Sequence, residues 1–342
     1  MKKTFKCVEC GGRLLFNPDN QDLKCEYCGG QSEIINSKTN KPIVRPYTDS
    51  LKYEGYKDAR HIFQCNSCTT HIATFDDKAL TRCPSCGNKD LIEIQESGVH
   101  PMEIIPFKIP RDTAGDAFST WIKSRKFAPN NLKKLAKLKK ISGLYAPIFL
   151  FNFKATTEFS ASCADEYTDS KGNKKLGMAH HVHDVEVRDF NNYIWSANKE
   201  LSSRIFKGMG GYHTSDVMPY ISEYMLGFLG IGSDYSVHDC YNSVKSSVEK
   251  EEYSRIKSNL NFRYDDVSFF RATTTLSDVT NSYLYVPVWA NHYKYKNKDY
   301  HCYINGQTGK VYGKSPKSFW KIFGLISAIV GAGVLFGLFF IL

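Results

Sequence analysis

Eight of the eleven cysteines stand in four pairs with the same two-residue gap: Cys7 and Cys10, Cys25 and Cys28, Cys65 and Cys68, Cys83 and Cys86. That gap lets both thiolates of a tight turn point at one metal ion. Fourteen residues separate the first pair from the second, and fourteen separate the third from the fourth. The second set of four therefore repeats the first at an offset of 58 positions. The chemistry this implies is two tetrahedral four-cysteine sites, each holding one Zn2+ ion. Rubredoxin-like iron uses the same ligands, but no electron-transfer context is visible, so zinc is the expected metal. Four thiolates leave no open coordination position, which makes both sites structural.

A glycine follows three of the four pairs, in CVECG, CEYCG and CPSCG. Glycine tolerates positive φ and lets backbone N–H groups approach the sulfurs. The remaining knuckle, Cys65-Asn66-Ser67-Cys68-Thr69, lacks it and is expected to be less ideal. Strand-like residues lie between the knuckles, as in Leu14-Leu15-Phe16 and His71-Ile72-Ala73-Thr74-Phe75. A short hairpin joining two knuckles is a zinc ribbon. So small a module needs its metal to fold.

Other reactive side chains form no comparable pattern. His180, His181 and His183, with Asp184 and Glu186, put two imidazoles on one strand face, but no third ligand has a recognisable spacing. Cys163, Cys240 and Cys302 read as buried thiols. His301 neighbours Cys302, yet adjacent strand residues point to opposite faces. Asn305 to Lys310, NGQTGK, lacks the spacing of a phosphate loop. No catalytic constellation is found, and the chain is not expected to be an enzyme.

The elements that must hold these sites follow from the rest of the chain. Residues 1–36 are assigned to ribbon 1, 37–59 to a connector, and 60–96 to ribbon 2. An α+β domain is expected over 97–316, and a C-terminal transmembrane anchor over 319–342. Within the domain, Asp112 to Lys126 and His238 to Leu260 read as helices, the latter with Cys240, Val244, Val248 and Ile256 inward. Asn130 to Lys140 reads as a basic amphipathic helix or turn. Strands are expected over Tyr145–Phe159, Val182–Trp195 and Tyr283–Ile304, with a hairpin at YINGQTGKVYG. Leu144-Tyr145-Ala146-Pro147-Ile148 resembles Leu284-Tyr285-Val286-Pro287-Val288, which hints at an internal duplication.

Ile322 to Leu342 contains no charged residue. As a helix it would run about 31 Å, close to a hydrocarbon core of about 30 Å. Lys310, Lys314, Lys317 and Lys321 precede it and mark a cytoplasmic flank. Gly333 and Gly337 form a GxxxG, with Ala328 and Ala332 a weaker pair. The expectation is a single-pass cell-membrane protein, anchored by its tail, with cytoplasmic N-terminal domains. The cysteine usage fits a reducing compartment. The composition, 42% hydrophobic and 23% charged, excludes a disordered chain, and the net charge of +10 leaves nucleic acid or an anionic surface open as partners.

The combined features resemble the bacterial TFIIB-type zinc-ribbon membrane proteins, and by length and layout their YdjG-like group. The likeness rests on CGGRLLFNPDNQDLKCEYCGG, a second ribbon ending CPSCGN, then IIPFKI, GLYAPIFLF, LYVPVWANHYKYKNKDYHCYINGQTGKVYGKSP and the apolar terminus. Such proteins often carry a primosomal-helicase-like label, which gains nothing here because no nucleotide-binding loop is present. The resemblance implies phage-shock association and an envelope-stress role. It also implies partners of the PspA-like, TPM-domain and SPFH or virion-core-like kinds. The expected function is an adaptor that gathers partner proteins at the lipid bilayer. The alternative is a membrane-tethered nucleic-acid-binding regulator, disfavoured because the ribbons lack a dense basic and aromatic surface.

Overall fold

The computed structural model describes residues 5–36, 41–47, 61–75, 80–94, 103–135, 141–296 and 298–341, with side chains left out at 133–135, 294 and 332–341. Ribbon 1 is a three-stranded antiparallel sheet, β1 (Leu14–Asn17), β2 (Asp22–Cys25) and β3 (Gln31–Ser32). A short β4 (Arg45–Pro46) precedes the strands of ribbon 2, β5 (His61–Cys65), β6 (His71–Thr74) and β7 (Leu91–Ile94). Next come β8 (Glu103–Ile104), α1 (Arg111–Ser124), α2 (Asn130–Leu135) and the long strand β9 (Ile141–Ala164). A small hairpin, β10 (Glu166–Thr168) and β11 (Lys174–Leu176), leads to the return strand β12 (His180–Ser196). Then follow α3 (Ser203–Gly208), β13 (Met218–Pro219), β14 (Leu229–Ile231), α4 (Val237–Arg263) and the longest strand, β15 (Asp266–Tyr295). The chain closes with β16 (Lys298–Asn305), β17 (Val311–Gly313) and α5 (Phe319–Ile341).

One twelve-stranded sheet dominates. Its main path is β13-β8-β15-β9-β14-β6-β5-β7, with β12 beside β9, β4 and β16 beside β15, and β17 beside β16. The first part of β9, from Leu144 to Leu150, is buried throughout, as a strand covered on both faces must be. Beyond it, buried Phe151, Phe153, Ala155, Thr157, Phe159, Ala161 and Cys163 alternate with more exposed residues, so only one face is covered there.

Helix α4 supplies that cover. Ser236 and Asp239 form its capping box, with the Asp239 N–H donating to Ser236 Oγ (3.2 Å) and the Ser236 N–H to Asp239 Oδ2 (3.0 Å). Its buried stripe is Val237, Cys240, Val244, Val248, Glu252, Ile256 and Leu260. Glu252 breaks the apolar pattern. It accepts from Arg188 on β12 and from Arg255 (2.7 Å), and Arg255 also reaches Glu186 (2.5 Å). This polar layer separates an upper apolar cluster around Phe151 and Val248 from a lower one around Phe159 and Ile256.

The two similar pentapeptides face each other. β9 and β15 are antiparallel, and Leu144 to Ile148 pairs with Val288 to Leu284, centred on Ala146 opposite Val286. Each long strand also receives a short parallel neighbour at the same motif: β14 against Leu144–Tyr145, and β8 against Leu284–Tyr285. The expected strand over Tyr283–Ile304 is instead two strands, β15 and β16, paired from Val288–Asn305 to Tyr295–Lys298.

The ribbons are built into this body. Strand β6 pairs antiparallel with β14, so ribbon 2 extends the main sheet. Ribbon 1 buries Leu14, Phe16 and Leu23 in the core shared with Phe107, Tyr224 and Phe228. The Phe16 N–H donates to Leu226 O (3.0 Å), and Gln21 Nε2 donates to Phe107 O (2.7 Å).

The expected fold class, two small zinc-ribbon modules with an α+β domain and a transmembrane helix, requires correction. The protein is sheet-rich, 42% strand against 24% helix. Among the described residues no helix is long and apolar enough to cross a membrane. The start of α5 is tied to the body: the Ser318 N–H donates to Phe127 O, and Lys321 Nζ to Ala128 O and Asn130 Oδ1, each at 2.8 Å. The Ile322–Leu342 anchor, its bilayer contact, and the single-pass, cytoplasm-facing location are therefore not supported. The Gly333–Gly337 pair and Ala332 lie outside the described side chains. So do parts of the connector and the lysine-rich end of the 130–140 segment.

Candidate metal centres

All four knuckles share one backbone design. The N–H four residues after each leading cysteine donates to that cysteine's carbonyl: Gly11 to Cys7 (2.9 Å), Gly29 to Cys25 (3.1 Å), Thr69 to Cys65 (2.8 Å) and Gly87 to Cys83 (2.9 Å). The leading N–H donates one residue further on, to Gly12, Gly30, Thr70 and Asn88 carbonyls at 2.8, 2.8, 3.1 and 2.7 Å. This turn requires a left-handed residue at its end. Gly11, Gly29 and Gly87 sit at φ of +70°, +76° and +81°, and Thr69 adopts the same region at +56°. The knuckle without glycine thus keeps the geometry and bears backbone strain. Lys199 Nζ donates to the Thr69 hydroxyl and ties that turn to the main domain.

The structure brings the eight cysteines into two groups, Cys7, Cys10, Cys25 and Cys28, and Cys65, Cys68, Cys83 and Cys86. Within each group all sulfurs lie within 4.8 Å of one another. In the first, Cys7 and Cys28 approach to 3.6 Å and Cys10 and Cys25 to 3.5 Å. In the second, Cys65 and Cys86 stand 3.7 Å apart, and Cys68 and Cys83 stand 3.6 Å apart. A tetrahedron with Zn–S bonds of about 2.3 Å has sulfur-to-sulfur edges of about 3.8 Å. Disulfides would need about 2.05 Å. The spacing therefore fits a shared ion and is consistent with zinc.

The two centres differ in surroundings. At the first, Cys7 and Cys25 are buried while Cys10 and Cys28 are exposed. The Gly12 and Gly30 N–H groups donate to Cys10 and Cys28 Sγ, both at 3.4 Å. Backbone N–H donation from Cys28 and Tyr27 holds the Cys25 thiol down at about 7. At the second, Cys65, Cys68 and Cys83 are buried and Cys86 is half-buried. Burial pushes the Cys83 thiol up and Cys86 to about 11. A divalent cation is the charge that keeps such buried sulfurs deprotonated.

Sequence reasoning missed the support of this second centre. The His292 Nε2–H donates to Pro84 O inside the last knuckle (2.6 Å), and the His292 ring packs edge-on against His301 (4.5 Å). Thr70 Oγ1 lies 3.3 Å from Cys68 Sγ, at the place where the glycine N–H groups meet sulfur in ribbon 1. No sequence signal links position 84 to 292, which lie 208 residues apart in the chain.

The remaining candidates stay apart from these centres. His183 pairs with Glu158 (3.0 Å) on an exposed face, and His180 packs edge-on against Tyr264 (5.2 Å). Among the described residues His180, His181 and His183 join no metal-binding group. Cys163, Cys240 and Cys302 are buried, and burial raises the thiol of each. The NGQTGK segment is a turn between β16 and β17, where Asn305 Oδ1 accepts from the Gln307 (2.9 Å) and Thr308 (3.1 Å) N–H groups.

The site and sheet define a protein with two four-cysteine groups, each able to hold a metal ion, built into one body. An uncharacterized protein, YdjG of Bacillus subtilis (strain 168), is 25% identical over 332 residues, spanning 96% of this chain and 94% of the relative. No family model matches the chain. No solved structure matches it. The relative is distant and itself uncharacterized, so the membrane, tail-anchored and phage-shock associations drawn from the resemblance have no support.

Proposed function

We propose that this protein is a zinc-ribbon adaptor of the TFIIB type that binds partner proteins through ribbon 1. The ions are zinc, and they hold the fold without reacting with a substrate, since four thiolates fill each coordination sphere. The observation that carries this reading is the apolar display on the two knuckle loops around the first centre. Val8 is 98% exposed and Tyr27 79% exposed, although each lies between two metal ligands. A rigid loop that presents an aliphatic and an aromatic side chain to solvent suits protein recognition, where aromatic anchors dominate. The body fixes that surface through Phe16 and Gln21 on the opposite end of the ribbon.

The test is site-specific photocrosslinking from positions 8 and 27 in cells, followed by binding of the captured protein in purified form. PspA-like, TPM-domain and SPFH or virion-core-like proteins are the first classes to assay. A partner crosslinked from both positions, and lost in a Val8→Asp, Tyr27→Asp double variant that keeps its metal, supports the reading. Unchanged binding by that variant overturns it. So does salt-sensitive binding of DNA or RNA through the same loops.

A further inference from the structure

We infer that the first metal centre is an oxidation site, at which a hydroperoxide converts Cys10 and Cys28 to disulfides with Cys25 and Cys7 and releases the ion. The second centre, with the same four ligands, is protected from this reaction. The inference rests on the geometry of the sulfurs and is independent of the adaptor reading.

Three observations carry it. The outer sulfurs of the first centre belong to exposed residues, Cys10 and Cys28, whereas three of the four ligands in the second are buried. Oxidant access therefore differs between chemically matched sites, and thiolate oxidation follows exposure. Each exposed sulfur also has a buried neighbour from the opposite knuckle, Cys28 beside Cys7 at 3.6 Å and Cys10 beside Cys25 at 3.5 Å. A reactive cysteine with a resolving partner in place is thus present twice. Finally, Leu14, Phe16 and Leu23 anchor ribbon 1 in the core, so disulfides formed between its two knuckles replace the ion as the clamp of a ribbon already held in place.

The chemistry balances with the peroxide as oxidant. The Cys28 thiolate attacks the peroxide, its sulfur–oxygen bond forms as the O–O bond breaks, and hydroxide or alkoxide leaves. The Cys7 thiolate then attacks the sulfenic sulfur, the S–S bond forms, and a second hydroxide leaves. Two thiolates lose two electrons, the peroxide gains two, and solvent protons neutralise both leaving groups. Cys10 and Cys25 consume a second peroxide in the same way. The metal ion is released unchanged because its ligands no longer carry charge. The products join one knuckle to the other and do not close a CxxC loop.

The experiment uses the full chain, reduced and loaded with two equivalents of zinc, exposed to hydrogen peroxide. Zinc release is followed with a chromogenic chelator, and disulfides are mapped by mass spectrometry after alkylation under denaturing conditions. One equivalent is expected to leave about tenfold faster or more, with Cys7–Cys28 and Cys10–Cys25 bonds and with Cys65, Cys68, Cys83 and Cys86 still alkylated. A Cys28→Ser variant is expected to yield no Cys7 disulfide, and the wild-type mapping stands even where that variant folds poorly. Release of both ions at one rate overturns the inference. Prior oxidation of the second centre, or a predominance of Cys7–Cys10 and Cys25–Cys28 bonds, also overturns it.

Discussion

Gly11 and Gly29 close the two knuckles of the first centre at φ of +70° and +76°, and a Cβ added at either would meet nothing within 4 Å. Replacing one of them by alanine therefore tests backbone conformation with no steric clash. An L-residue in the left-handed region costs about 1–2 kcal/mol. Alanine offsets about 0.4–1 kcal/mol of this by restricting the unfolded chain. The net loss is about 1 kcal/mol, and because metal binding is linked to ribbon folding it appears as about fivefold weaker zinc binding at the first centre. Thr69→Gly is the reverse change. It removes the strain at φ +56°, gives up the exposed hydrogen bond from Lys199, and loosens the unfolded chain. These effects oppose each other, so binding at the second centre should stay within about 1 kcal/mol of the native value. Competition titrations against a chromogenic chelator measure both sites. A Gly11→Ala variant that binds zinc as tightly as the native chain would refute the conformational account. A Thr69→Gly variant that loses clearly more than about 1 kcal/mol of zinc-binding free energy would do the same.

Two further outcomes concern the body. Glu252 is almost fully buried, while its partners Arg188 and Arg255 are partly exposed. Removing both arginines (Arg188→Ala with Arg255→Ala) strands a buried carboxylate and should cost about 3–5 kcal/mol in urea unfolding, whereas Glu252→Leu lets the arginines rehydrate and should cost less. Glu103 on β8 is buried, and that burial raises its carboxyl to about 7, against a smaller lowering by the Ile43 N–H it accepts and by Arg45. Its folded value lies above its unfolded value, so the folded state binds the proton more tightly. The resulting stability is complete below about 4.5 and is lost as pH rises to about 7. The urea midpoint of the native chain should therefore fall relative to Glu103→Gln across that window; parallel pH profiles would contradict the assignment.

The cysteine spacing made the two metal groups legible, because ligand geometry is local to each knuckle. Helix α4 was legible for the same kind of reason: Cys240, Val244, Val248 and Ile256 recur at helical spacing. Position 252 continues that series, and a glutamate there was a readable sign of a buried ion pair. The two long strands were harder. Bulges in β15 between Ser268 and Arg271 and between Ser277 and Thr280, and in their neighbour β12 between Phe190 and Tyr193, shift the alternation that would reveal a continuous strand. The union of ribbon 2 with the main sheet depends on β6 meeting β14, about 150 residues away, through backbone bonds that no side-chain pattern encodes. The apolar terminus was read as a membrane span from its composition, whereas among the described residues no helix is long and apolar enough to cross a membrane.

Metal content together with X-ray absorption on the reduced full-length chain bears most directly on the two closed centres. Two zinc ions per chain are expected, each surrounded by four sulfurs at about 2.3 Å and no lighter ligand. Fewer than two ions per chain, or nitrogen or oxygen in either first coordination sphere, would contradict a pair of structural four-cysteine sites.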